Sequence, residues 1–155
     1  VSSQINAVIL ALTAKWQALA VPAGTLEGVQ VADGPQVNSD PSSEWLFVGY
    51  DGAEGSEFAE GAVAEQTLMT FAKGKQETPE IKCAAVAVRG DPDIASARQR
   101  ALAIMSAAED ALRNDMTLGG LVMHAYVSTI TYIPTQTDRG AKARVWFTVT
   151  YQAQF

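Results

Sequence analysis

From Ala143 to Phe155 the chain alternates without a break. Ala143, Val145, Phe147, Val149, Tyr151, Ala153 and Phe155 fall on one side, and Arg144, Trp146, Thr148, Thr150, Gln152 and Gln154 on the other. A period of two belongs to an extended strand, because successive side chains point to opposite faces of the backbone. A strand this long with one apolar face requires a sheet beside it and a layer over it. The alternation holds to Phe155, so this end reads as structure and not as a tail.

The rest of the chain supplies both. Ile5, Val8, Ile9, Leu12, Trp16 and Leu19 recur at helical spacing, which predicts a one-sided helix of about five turns, capped by Ser2 or Ser3 and stopped by Val21–Gly24. A strand is expected in "TLEGVQVADG", ending at the Asp33-Gly34-Pro35 turn. "WLFVGY" reads as a strand buried on both faces. "DGAEGSEFAEG" reads as an acidic, glycine-rich loop launched from its end. "AVAEQTLMTFA" (residues 62–72) reads as a strand at an edge, "KGKQETPE" as a turn, and "IKCAAVAVR" (81–89) as a central strand. Asp91 and Pro92 then suit the cap and first position of a helix. Its stripe is Ile94, Ala97, Ala101, Ile104, Met105, Ala108 and Leu112. "VMHAYVSTITYI" is a strand running to Pro134, and "TQTDRGAK" a hairpin loop in which Gly140 can take a positive φ. The expected fold is α+β in one domain, 1–155: a mainly antiparallel sheet with two helices on one face, in the order α-β-β-β-β-α-β-β.

Charge narrows the function. The formal net charge is −6, which argues against gripping nucleic acid as a primary role. Between Lys15 and Lys73 there is no basic residue but there are nine acids; the remainder carries eight acids against eleven bases. Such asymmetry bears on fields and partners. Cys83 is the only cysteine, so no internal disulfide can form, which fits a reducing compartment. Neither a membrane-length apolar run nor a signal-peptide pattern is expected here.

No catalytic constellation stands out. His124, the only histidine, has no nucleophile motif near it and reads as structural. Cys83 reads as a packed thiol. Asp51, Glu54, Glu57 and Glu60 are spaced by three but miss the alternating oxygens of a calcium loop, so a solvated loop is the plainer reading. Arg89-Gly90-Asp91 is explained as a strand-to-helix turn. Trp16 and Trp45 read as core. Trp146, on the threonine and glutamine side, calls for a second layer or a neighbouring molecule. That face also carries Thr129, Thr131, Thr148 and Thr150. Neither a cofactor nor a metal is expected, and contact rather than catalysis is the expected work.

Taken together, "VQVADGP", "WLFVGYDG", the capped alanine-rich helix and the closing "RVWFTVTYQAQF" resemble the tail-terminator (tail completion) proteins of long-tailed bacteriophages, notably actinobacterial ones. The resemblance covers nearly the whole chain in element order. It implies a non-enzymatic virion protein, made in the host cytoplasm, that closes into a hexameric ring at the head-proximal end of the tail. Its partners would be copies of itself, the tail-tube protein and the head-completion (stopper) protein, with DNA passing through unbound and no membrane involved. A tail-tube subunit or other head–tail connector is the nearest alternative, and a small ligand-binding or hydrolytic domain a more distant one. Under this reading Asp33, Asp40, Glu54, Glu57 and Glu60 are candidates for a negative lumen. Asp138, Arg139 and Trp146 are candidates for contact with a sister subunit or the tube.

Overall fold

The computed structural model describes residues 2–36, 44–52, 60–69, 74–137 and 140–155. Its elements are α1 (Ile5–Gln17), β1 (Gln30–Asp33), β2 (Glu44–Val48), β3 (Ala62–Leu68), β4 (Lys75–Val88), α2 (Ile94–Arg113), β5 (His124–Thr137) and β6 (Gly140–Gln154). The class and order are those expected. One sheet runs β1-β2-β4-β6-β5, with β3 also paired to β4. Only β1 and β2 are parallel; every other pairing is antiparallel.

The alternation of β6 sets the layers. Ala143, Val145, Phe147, Val149, Tyr151 and Ala153 are buried under the helices, together with Ile81, Cys83, Ala85 and Ala87 of β4. Helix α2 buries the predicted stripe from Ala97 to Leu112, and its alanines let it lie close on β4 and β6. Helix α1 lies beside it. Trp16 is fully buried, its indole N–H donates to the carbonyl of Ala108 at 3.1 Å, and its ring meets Phe147 edge-on at 6.0 Å. A buried indole needs such an acceptor, so this bond ties the two helices together as well as satisfying the tryptophan.

Several boundaries differ from expectation. Helix α1 is shorter, ending at Gln17, and its N-cap is Gln4; Ser3 Oγ accepts from the Ile5 amide at 3.1 Å but does not occupy the cap position. The cap of α2 is Asp93, whose carboxylate accepts from Ser96 N at 3.1 Å, while Asp91 accepts from Asp93 N one turn earlier. Residues 25–29 form turns, leaving β1 four residues long. The expected turn at residues 73–80 is instead the first half of β4 for residues 75–80. Pro79 lies inside that strand, and the β4–β6 ladder skips Thr78 and Pro79, because proline has no N–H to give it. The hairpin pairs as far as Thr137 and Gly140, so the expected eight-residue loop shrinks to Asp138 and Arg139, both outside the described residues.

Strand β2 is buried on one face only. Leu46 and Val48 enter the core, whereas Trp45 and Phe47 are half-buried on the opposite face. Strands β2 and β3 lie end to end along the same edge of β4: β2 pairs with Cys83–Ala87, and β3 with Lys75–Ile81. They continue one another along that side of β4, interrupted by residues 49–61, with β1 flanking β2 and nothing flanking β3 among the described residues. Lys82 marks the gap, its amide donating to Gly61 O and its carbonyl accepting from Tyr50 N, both at 2.9 Å.

Candidate functional site

Both helices cover one face of the sheet, so the chain's candidate contact surface is the other face. Cross-strand register assembles it. Opposite Trp146 lie Ala84 of β4 and Thr131 of β5; opposite Thr148 lie Lys82 and Thr129; opposite Thr150 lie Glu80 and Tyr126. The four threonines and the tryptophan singled out in the sequence therefore do share a surface. Thr148 and Thr150 are nonetheless buried. The extra residue of a β-bulge at Val127/Thr129 explains part of this, since Ser128 Oγ lies 2.7 Å from Thr150 Oγ1.

Aromatic rings occupy the β2 end of this face. Trp45 and Phe47 stack at 5.2 Å and 4°, and Phe47 meets Tyr50 edge-on at 5.1 Å. Trp45 is thus part of a surface ladder rather than the core. The start of the acidic loop folds across the adjoining strands. A Cβ placed on Gly52 would lie 3.0 Å from Ala84 Cβ and 3.1 Å from Arg144 Cδ, so this backbone packs directly on the sheet. Arg144 Nη1 donates to Asp51 O at 2.7 Å and lies 3.8 Å from its carboxylate. With φ of +77°, Gly52 adopts a conformation that side chains rarely tolerate. Ala84 and Val86 are buried here, although they point away from the helices.

The acidic stretch is partly neutralised from within. Glu44 receives Arg100 through two bonds, Nε at 2.5 Å and Nη2 at 3.2 Å, with Arg89 Nη1 at 3.8 Å. Arg89 also donates to Ser96 Oγ at 3.3 Å. The Arg89-Gly90-Asp91 tripeptide is therefore engaged in the strand-to-helix turn. Of the candidate lumen acids, Asp33 and Glu60 are exposed and lie near the gap between β2 and β3: Asp33 pairs with Val48, and Gly61 abuts Gly49. Asp40, Glu54 and Glu57 lie outside the described residues, as do Asp138 and Arg139.

Trp146 is half-buried, six residues or roughly 20 Å along β6 from Gly140. The hairpin root is braced against the β4–α2 turn, with Ala141 N donating to Asp91 O at 2.9 Å and Gln136 to Pro92 O at 3.1 Å.

Three strand edges carry no partner among the described residues: the outer sides of β1, β3 and β5, of which β3 and β5 lie on opposite margins of the β3-β4-β6-β5 stretch. From Ala125 to Thr137, β5 has no charged side chain, and Tyr126 and Ile130 are exposed. Such uncharged edges are open to pairing with another chain. Local pattern does not mark β5 as an edge, because strand order is set by pairing between distant segments.

The groups weighed for chemistry are placed as follows. The His124 ring stacks on Tyr126 at 5.9 Å, and among the described residues its side chain makes no hydrogen bond or ion pair. Cys83 is fully buried, and burial pushes its thiol up to about 12. Among the described residues no three His, Cys, Asp or Glu side chains cluster as a metal site would need. No helix among them is long and apolar enough to cross a membrane. A groove of about 460 Å³ lies between the end of α2 and β5, lined by Leu112, Met116, Ala125 and Val127 with Glu109 and Arg113 beside them.

No family model matches the sequence, and no curated protein is similar to it. The fold is similar to that of a chain in the solved virion of a native gene transfer agent particle, with a TM-score of 0.54 at 10% identity, covering 95% of this chain and 94% of that one. At that identity the likeness is one of fold.

Proposed function

We propose that this chain is a virion structural protein, working by assembly with copies of itself and with other virion proteins, and making or breaking no bond. The observation that carries this reading is a fold shared over nearly its full length with a chain of a virion particle. Within that role the reading favoured is the tail terminator: a ring, taken as hexameric, at the head-proximal end of the tail tube. It ends tube growth and receives the head-completion protein.

A closed ring needs a heterologous contact, in which unlike surfaces of neighbouring copies meet. The unpaired edges of β3 and β5 are unlike surfaces on opposite margins, which supports this reading. Asp33 and Glu60, with Asp40, Glu54 and Glu57, are offered as the lumen lining. Negative charge there repels phosphate, so DNA passes without being held. Trp146 is offered as a contact with a sister subunit or the tube, and Asp138 and Arg139 as a second one at the hairpin tip.

Particles made without this protein should carry tails of uncontrolled length that fail to join heads. Tails of normal length joined to heads in its absence would end the terminator reading. A tube subunit or other connector is separated by electron microscopy of the purified protein and of virions. A terminator gives rings at one tube end, whereas a tube subunit stacks into tubes of open length.

A further inference from the structure

Helix α1 has no capping side chain of its own at Gln4; the acceptor comes from a strand 73 residues away. The amide of Gln4 donates to Glu77 Oε2 at 3.0 Å, and the hydroxyl of Ser3 donates to Glu77 Oε1. On the other side, Gln66 of β3 donates to the carbonyl of Ser2 at 2.6 Å. Residues 2–4 thus clip the start of α1 to both β3 and β4.

Glu77 is fully buried on the helix-covered face, opposite Ala153 of β6. Among the described residues no cation pairs with it. A buried carboxylate in that position depends on hydrogen-bond donors, and removing one without replacement is costly. Tyr151 sits two residues before Ala153 and on the same face, which makes it the diagonal cross-strand neighbour of Glu77, within reach of long side chains. Its hydroxyl is buried and makes no hydrogen bond of acceptable geometry. Burial, and then the negative charge of Glu77, push the phenol above its ordinary range while nearby Ser3 opposes them, so the group keeps its proton and remains a donor. Once the Ser3 hydroxyl leaves Glu77 Oε1, that oxygen is open to another O–H donor.

We propose that residues Ser2–Gln4 form a releasable latch on Glu77, and that Tyr151 is the stand-in O–H donor that takes over the carboxylate when Ser3 withdraws. With the latch shut, the phenol is left without a partner. With it open, Tyr151 bonds Glu77, and the first turn of α1 lifts from the sheet without stranding a buried charge. The exchange of one hydroxyl donor for another lowers the cost of this local opening, and it also frees Gln66 on the β3 edge.

The test is native-state hydrogen exchange of the full chain, read at the amides of Gln4 and Val8 and at core amides of β4 and β6. Tyr151→Phe relieves the unpartnered phenol in the shut state and removes the stand-in from the open one. Exchange at Gln4 and Val8 should therefore slow roughly tenfold relative to the core amides. Ser3→Ala weakens only the shut state and should speed the same amides by a similar factor. If the phenol has no part in opening, Tyr151→Phe changes the core and the latch amides together and their ratio stays fixed. That outcome, or faster exchange at Gln4, overturns the proposal. Both variants leave Glu77 in place, so neither creates a carboxylate cavity that would prevent folding.

Discussion

Gly61→Ala tests how the junction between β2 and β3 is held beside β4. At Gly61 the chain returns to the sheet, and an added Cβ would fall well inside contact distance of the Gly49 carbonyl oxygen and 3.2 Å from its carbon. Both obstacles are backbone, so no rotamer change relieves them. The backbones must separate, and with them go the bonds at Lys82: its amide to Gly61 O and its carbonyl from Tyr50 N, each 2.9 Å. Two such bonds contribute about 1 kcal/mol each, and forced overpacking costs about 1–3 kcal/mol more. Alanine returns about 0.4–1 kcal/mol by restricting the unfolded chain. The net expectation is a loss of about 2–4 kcal/mol, a large share of a typical stability of about 5–15 kcal/mol. Urea unfolding should show a lower midpoint at unchanged slope. Gly90→Ala is the control: nothing lies within 4 Å of its added Cβ and its φ is not positive, so it should be neutral or stabilising by up to about 1 kcal/mol. Equal stability of Gly61→Ala and the parent protein would refute the account of the pinched gap.

Arg100→Ala leaves Glu44 half-screened with only Arg89 at 3.8 Å; thermal unfolding should register a loss of about 1–3 kcal/mol, and Arg100→Lys should recover little because the paired bonds need the guanidinium fork. The Asp115 carboxylate is held below its ordinary range by the Gly119 amide first and then by Lys15, 2.9 Å away. A lowered folded-state value means that its contribution is present above the unfolded value of about 4 and fades as the pH falls through the folded one. Lys15→Ala should therefore move the Asp115 titration upward in NMR. Cys83 should resist thiol reagents at neutral pH and react only as the core opens, so its labelling rate should track urea concentration; rapid labelling of native protein would contradict its burial. If the proposed ring forms, Trp146→Ala should impair it in sizing experiments while costing less stability than Trp16→Ala, for which a loss of about 3–5 kcal/mol is expected from a fully buried site.

The periodic elements were legible from residue spacing. The alternation of β6 and the apolar stripe of α2 follow from backbone geometry alone, and the structure buries the residues those periods select. Trp16 was legible as core because it lies on a helical stripe. Trp45 was not, because four apolar residues in a row, Trp45 to Val48, carry no period to say which face is covered. Only the tertiary structure decided that β2 and β3 continue one another along β4, since residues 49–61 separate them in the chain and β4 alone aligns them. It alone decided that the Gln4 amide at the start of α1 finds its acceptor in Glu77, which local pattern places in a turn. It also converted two acids of the unbroken acidic stretch, Glu44 and Asp51, into partners of Arg100 and Arg144. The physical reason is common to all of these. Side-chain periods report how each residue sits on its own element, whereas pairing, capping and charge neutralisation depend on which distant backbone arrives beside it.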